Sequence, residues 1–329
     1  APVLLPEFRA PDTARPDSAS IVLSLTAILS AIYGLKELAA GGSHPVPFLA
    51  ALAGAFLAAI FLHRQRRLRD PLVDLRLFHN ASFSTALGGM FGITLTGAIM
   101  LSIAQYLQLV QGFSPFRAAL WMLPSVIASM AGMLLSPLIA RRLRPAYLIA
   151  GGLIISGAGC LMLLEAGVET GFAALVAGYV LFNLGTSPLV SLSGDLAVGS
   201  APRDRAGAAA AMLQTSGEFA FALGIAVLGS LGSFAYRRSV AASVPADQPD
   251  SGILLAADNP AGFISEAENR PGGVSLDLLD VAYRAFASGM HAVAVASGVI
   301  LFGVALLIAV KLRRLPPVGT AGPDGAGHP

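Results

Sequence analysis

Glu218 is the one carboxylate set deep within a long apolar run of this sequence. An ionisable side chain inside a membrane helix is costly unless it is paired or hydrated, so it is the first place to look for chemistry. Helical steps of three and four residues from Glu218 bring Ala211, Gln214, Thr215, Phe221, Ala222 and Ile225 onto the same face. That stripe mixes small, polar and aromatic groups. It suits an acid that faces a cavity and either exchanges protons or meets a cation. The alternative is a structural acid held by a neighbouring helix.

Other polar side chains are weaker signals. Tyr179, Asn183 and Ser187 recur at four-residue steps, and Gln105, Gln108 and Gln111 at three-residue steps. Each set could line a cavity or form hydrogen bonds between helices. Trp121, Met122, Met130 and Met133 could form an adaptable apolar pocket, because Met repacks around different ligands; the plainer reading is packing or lipid contact. Gly88 and Gly92 form a small-xxx-small pair that would let helices approach closely. His291 reads as a satisfied residue near a helix end. No H-E-x-x-H, G-x-S-x-G or Walker sequence is present, so neither a hydrolase nor a nucleotide-driven pump has residues to point to. The single Cys160 excludes an internal disulfide and a thiolate metal cluster, and the reading calls for no metal and no cofactor.

These residues need membrane helices to position them. The 329-residue chain is 55% hydrophobic and only 12% charged, about half the charge of a soluble domain. A net charge of +2 with no concentrated basic face gives no sign of a nucleic-acid partner. Eight runs are long enough to span a bilayer as helices: Ser18 to Leu38, Pro45 to Leu62, Ser82 to Leu109, Ala118 to Ala140, Tyr147 to Leu164, Gly171 to Ser191, Ala206 to Tyr236 and Phe286 to Val310. They are too long and too continuously apolar for barrel strands. The fold class is therefore an all-α integral membrane protein. Glu218 lies 12 residues beyond Ala206, about 18 Å along its helix and so near mid-bilayer.

Sorting the basic residues by side gives the orientation. With the N-terminus inside, 15 of the 21 Lys and Arg residues fall in cytoplasmic segments, and every inner loop is basic. Both termini are then cytoplasmic. After the second span, Arg64, Arg66, Arg67 and Arg69 precede a stretch in which Leu72, Val73, Leu75, Leu77 and Phe78 interleave with Asp74 and Arg76. This segment reads as an interfacial anchor to anionic headgroups. It divides the chain into a cytoplasmic loop (1–17), two helices (18–62), the interfacial segment (63–81) and a six-helix bundle (82–314). Within the bundle, 237–285 reads as a long outer loop, in which Glu266, Glu268, Asp277 and Asp280 with Leu276, Leu278, Leu279 and Val281 could make a short amphipathic helix leading into the last span. Residues 315–329 read as a disordered tail.

Gln105-Tyr106-Leu107-Gln108 followed by Gly112, Ser114 and Pro115, the segment Asp70-Pro71-Leu72-Val73-Asp74-Leu75-Arg76-Leu77-Phe78, and Ala201-Pro202, Arg205-Ala206-Gly207 and Gly224 to Ser230 resemble the major facilitator superfamily. More narrowly, they resemble its 14-span drug:proton antiporters of the quaternary-ammonium exporter type. The resemblance implies that the first two spans are linker helices and the other six the C-terminal bundle, so that this chain lacks a six-helix N-terminal half. It implies that Glu218 recognises a cation or couples protons, and that Asp195, Arg203, Arg205 and Gly207 form a cytoplasmic loop motif. Gln214, Phe221, Tyr179, Asn183, Gln105, Tyr106, Trp121 and Met130 become cavity candidates. The implied partners are lipophilic cations, protons and the plasma-membrane bilayer. No acid stands in the fourth span, so recognition of divalent cations is not implied.

The reading that results is the C-terminal portion of a proton-coupled multidrug exporter. Two rivals stand beside it: an exporter of another cargo, such as a lipid, siderophore or secondary metabolite, and a transport-incompetent fragment that acts as an interaction module. An enzyme ranks last.

Overall fold

The computed structural model describes residues 17–39, 44–68, 74–166, 171–202, 205–243, 260–262, 264 and 274–313. These residues form helices and connecting turns, with no strand among them, and eight helical segments are long and apolar enough to cross a membrane. The helices are α1 (Ser18–Ala39), α2 (Pro45–Gln65), α3 (Ala81–Leu95), α4 (Ala98–Gln105), α5 (Pro115–Ala140), α6 (Pro145–Met162), α7 (Phe172–Val198), α8 (Ala206–Ser243) and α9 (Val274–Lys311). A 3-10 turn at Leu75–His79 precedes α3, and a π-helical turn at Tyr106–Val110 follows α4. The tail 315–329 and the loop motif's Arg203 lie outside the described residues, as do residues 1–16 of the N-terminal segment.

Local chemistry sets the helix starts. Pro occupies the first turn of α2, α5 and α6, where its missing N–H removes nothing the helix needs. The Asn80 side chain accepts from the backbone N–H groups of Ser82 and Phe83 at the start of α3, and Ser114 caps α5 by accepting from Arg117 N at 3.3 Å.

The α1–α2 hairpin packs mainly on itself and touches the bundle through α8. At one end Arg64 binds Asp17 at 2.9 Å, while Gln65 Nε2 donates to Ser20 Oγ at 3.0 Å. In the bundle, α6 lies between α7 and α9, while α3 packs against α7, α8 and α9. The main core is built from buried Ile99, Tyr106, Leu153, Leu189 and Leu301 with their neighbours. α6 and α7 approach closely along a row of glycines. There a Cβ added at Gly159 would lie 2.5 Å from Gly178 O, one added at Gly178 would lie 2.7 Å from Gly159 O, and one added at Gly152 would lie 2.5 Å from Gly185 O. Ser156 Oγ donates across the same seam to Phe182 O at 2.7 Å. Small residues drive this close packing, as expected where lipid offers no hydrophobic force between helices. The expected Gly88–Gly92 pair does not act this way. Only Gly92 meets a neighbour, Val304, while Gly88 is open.

Two expectations change. The span read as Ser82 to Leu109 is not one helix, because it breaks at Thr96 and Gly97. There Thr96 Oγ1 donates to Ile93 O at 2.6 Å and the backbone tightens to three-residue bonds. The start of the 237–285 segment is also helical rather than loop, since α8 continues to Ser243, whereas at its other end the helix expected before the last span is continuous with it from Val274. Buried Tyr236 and Val240 belong to the same apolar core as Ala282, Ala285 and Phe286, and this packing carries the helices beyond the length a bilayer requires.

Candidate functional site

The helix break in the third span shapes the site. It brings the Leu95 carbonyl against α8 at Gly224, where any Cβ would collide with that oxygen. It also places Gly97 beneath the Phe221 ring, with a Cβ at Gly97 falling 2.6 Å from the ring carbons. Glycine is required at both positions because two backbones or a backbone and a ring meet there. Phe221 and Glu218, three residues apart on α8, therefore stand beside the end of α3.

Glu218 opens onto a recess of about 490 Å³ between α3, α7 and α8. Met90 and Thr94 of α3, Ser193 and Gly194 of α7, and Gln214 and Phe221 of α8 contribute to its walls. Gln214 Nε2 donates to Glu218 Oε1 at 2.9 Å, so one lone pair is satisfied within the helix and the other oxygen is left for a ligand or water. Gly217 keeps the floor between Glu218 and Thr94 open. Glu218, Gln214 and Thr215 are all exposed, although α8 is a membrane-spanning helix. The arrangement can hold a cation or a proton on a carboxylate flanked by an amide and an aromatic ring.

The structure gathers Glu218, Gln214 and Phe221 and leaves the other candidates elsewhere. Gln105 lines a separate cleft of about 420 Å³ with Lys36, Ser230, Ser233 and Tyr236. Tyr106 is fully buried with its ring 6.5 Å from Phe286, so it is a core residue and not a cavity wall. Its phenolic oxygen accepts from Gln111 Nε2 at 3.3 Å. Tyr179 is buried and stacked on Phe182, and Asn183 spends its amide on Tyr179 O at 3.1 Å. Trp121 meets Phe172 edge-on at 4.6 Å, and Met130 points outward from α5, exposed. Ser187 does bridge helices, donating to Ser129 O at 3.1 Å. His291 Nε2 lies 3.1 Å from Ala166 O, tying α9 to the end of the α6 span.

Of the loop motif, Arg205 alone is engaged among the described residues. It pairs with Asp74 at the turn before α3, not with Asp195, which is exposed near the end of α7, and Gly207 stands open on α8. Asp74 is buried and also caps its own turn by accepting from Arg76 N at 3.0 Å. Sequence reading missed the recess walls Met90, Thr94 and Ser193, because Ser and Thr are ordinary in membrane helices and nothing in their spacing sets them apart.

These features define a multi-pass α-helical membrane protein with a polar recess on its bundle. The chain belongs to the major facilitator superfamily and is related to its multidrug efflux pumps. It is 33% identical over 315 residues to the multidrug efflux pump LfrA of Mycolicibacterium smegmatis, covering 95% of this chain and 62% of the relative. It is 27% identical to the tetracenomycin C resistance and export protein of Streptomyces glaucescens, over 92% of this chain and 57% of that protein. It is 30% identical to the methyl viologen resistance protein SmvA of Salmonella typhimurium, over 84% and 56%. The chain thus spans somewhat over half the length of these curated relatives. No protein-family model matches it.

Proposed function

We propose that this chain is the linker hairpin and C-terminal bundle of a proton-coupled multidrug exporter of the plasma membrane, with both termini cytoplasmic and its basic loops facing the cytoplasm. The observation that carries the reading is the exposure of Glu218 with Gln214 on a membrane helix, since lipid would not tolerate that face and a cavity would. A six-helix N-terminal half would close the cavity, and rocking of the two bundles would alternate its access. Glu218 releases its proton when a lipophilic cation enters and takes one up when the cation leaves. Transport draws on an ion gradient and needs neither nucleotide nor cofactor. The relationship to a methyl viologen resistance protein supports a cationic cargo, methyl viologen being a dication.

The test is export of a cationic dye by the complete protein carrying Glu218→Gln. Efflux should be lost while membrane expression stays unchanged. Undiminished efflux would remove Glu218 from the mechanism. A second reading, export of a different cargo, is favoured by the tetracenomycin C relative. It predicts that neutral compounds outcompete cations in a substrate panel and that Glu218→Gln spares them.

A further inference from the structure

A third cavity lies at the basic end of the molecule, where the α1–α2 hairpin meets the bundle. It measures about 550 Å³ and is bounded by the end of α2, the turn before α3 and the start of α8. Its ionisable lining among the described residues consists of Arg66, Arg76, Arg205, Asp74 and His79. Asp74 and Arg205 neutralise each other across the cavity floor. Arg66 and Arg76 are both exposed, and neither guanidinium has a partner among the described residues. Among the lining residues two positive charges are therefore left uncompensated. Leu68, Leu75 and Phe78 supply an apolar wall beside them.

Unpaired guanidinium groups beside apolar side chains, at the level where membrane helices end, match a phospholipid: phosphate on the arginines, first acyl carbons on the leucines and phenylalanine. The two guanidinium groups without a partner among the described residues match two phosphates, each taken by paired N–H donors. We propose that this cavity seats one doubly anionic phospholipid of the cardiolipin type, which fastens the linker hairpin to the bundle. The site differs from a diffuse basic surface in that it predicts a stoichiometry and a dependence on particular arginines. Arg205 does not belong in the test, because removing it would leave Asp74 buried without its partner.

The protein is purified in mild detergent, and bound lipid is counted by native mass spectrometry for wild type, Arg66→Gln/Arg76→Gln, and Arg141→Gln/Arg142→Gln. The last pair is equally basic and exposed but lies outside the cavity. One cardiolipin should remain on wild type and on the control variant, whereas the cavity variant should hold it roughly 30-fold more weakly, at the usual contribution of two basic residues. Equal loss from both variants would show diffuse attraction and overturn the proposal, as would wild type without bound lipid. A measurement on wild type alone covers the case of a cavity variant that does not fold. Cardiolipin added to delipidated protein should raise its melting temperature. Phosphatidylglycerol at matched charge, phosphatidylcholine and inorganic phosphate should not. A rise of equal size with phosphatidylglycerol or with inorganic phosphate would overturn the site as proposed.

Discussion

α2 and α8 are the least alike of the weakly covered helices. Only 11% of the α2 window and 22% of the α8 window is buried in the molecule, against 50% for α6. What their first halves expose differs in kind. α2 presents Val46, Phe48, Leu49, Leu52, Phe56 and Ile60 outward, with no polar side chain before His63. α8 presents Gln214, Thr215, Glu218 and Phe221 in its first half, before its exposed side chains become apolar at Ile225, Val227, Leu231 and Phe234. In water both faces would be called surface. In a bilayer only the first suits acyl chains, because a charge against hydrocarbon is costly wherever it lacks a partner or water. Exposure in a membrane protein therefore needs to be read together with polarity, and on the proposed function the pair of helices separates a lipid face from a cavity face.

The comparison can be broken from either side. Phe56 lies 11 residues into α2, about 17 Å from its start and near mid-bilayer. Placing an acid there, Phe56→Glu, should cost about 3 kcal/mol of membrane insertion. A membrane-integration assay that compares it with the acid already tolerated at 218 reads the difference directly. Equal tolerance would mean that α2 is not a lipid-facing helix. The next largest effect is expected where helices are pressed together. Gly185→Leu would force α6 from α7 at the Gly152 and Ser156 seam, at a cost of about 2 kcal/mol in an unfolding titration. Gly88→Leu, in open space, should leave stability nearly unchanged.

The smallest effect concerns the hairpin's own fastening. Ser20 and Arg64 together hold the Asp17 carboxyl below its ordinary value of 3.8. A carboxyl lowered in the folded state contributes stability above its unfolded pKa and loses it as pH falls through the folded value. The difference in melting temperature between wild type and Asp17→Asn should thus be present at about pH 5 and vanish well below pH 3.8. Because this pair is exposed to solvent, the difference should also shrink in high salt.

Much of this was legible in the sequence, for a physical reason. A span announces itself by twenty consecutive apolar residues, and Glu218 by interrupting one, so both are local signals. The break at Thr96 and Gly97 is also local, yet both residues are commonplace in membrane helices. Its meaning depends on Gly224 and Phe221, more than a hundred residues away. The Asp74–Arg205 pair likewise joins residues 131 positions apart. Thirty-six glycines are too many for spacing to show which of them touch. Tyr106, a cavity candidate only through the family resemblance, is packed into the core at the start of the π-helical turn, a placement that depends on Phe286 far along the chain.

On the proposed function, the Glu218 face of α8 meets water and not lipid. This is tested most directly by single cysteines at Gln214 and at Phe56 in a Cys160→Ala background, which removes the buried native thiol. Each protein is then exposed in native membranes to a water-soluble maleimide. Position 214 should label rapidly and position 56 not at all. Labelling at 56 with none at 214 would contradict this.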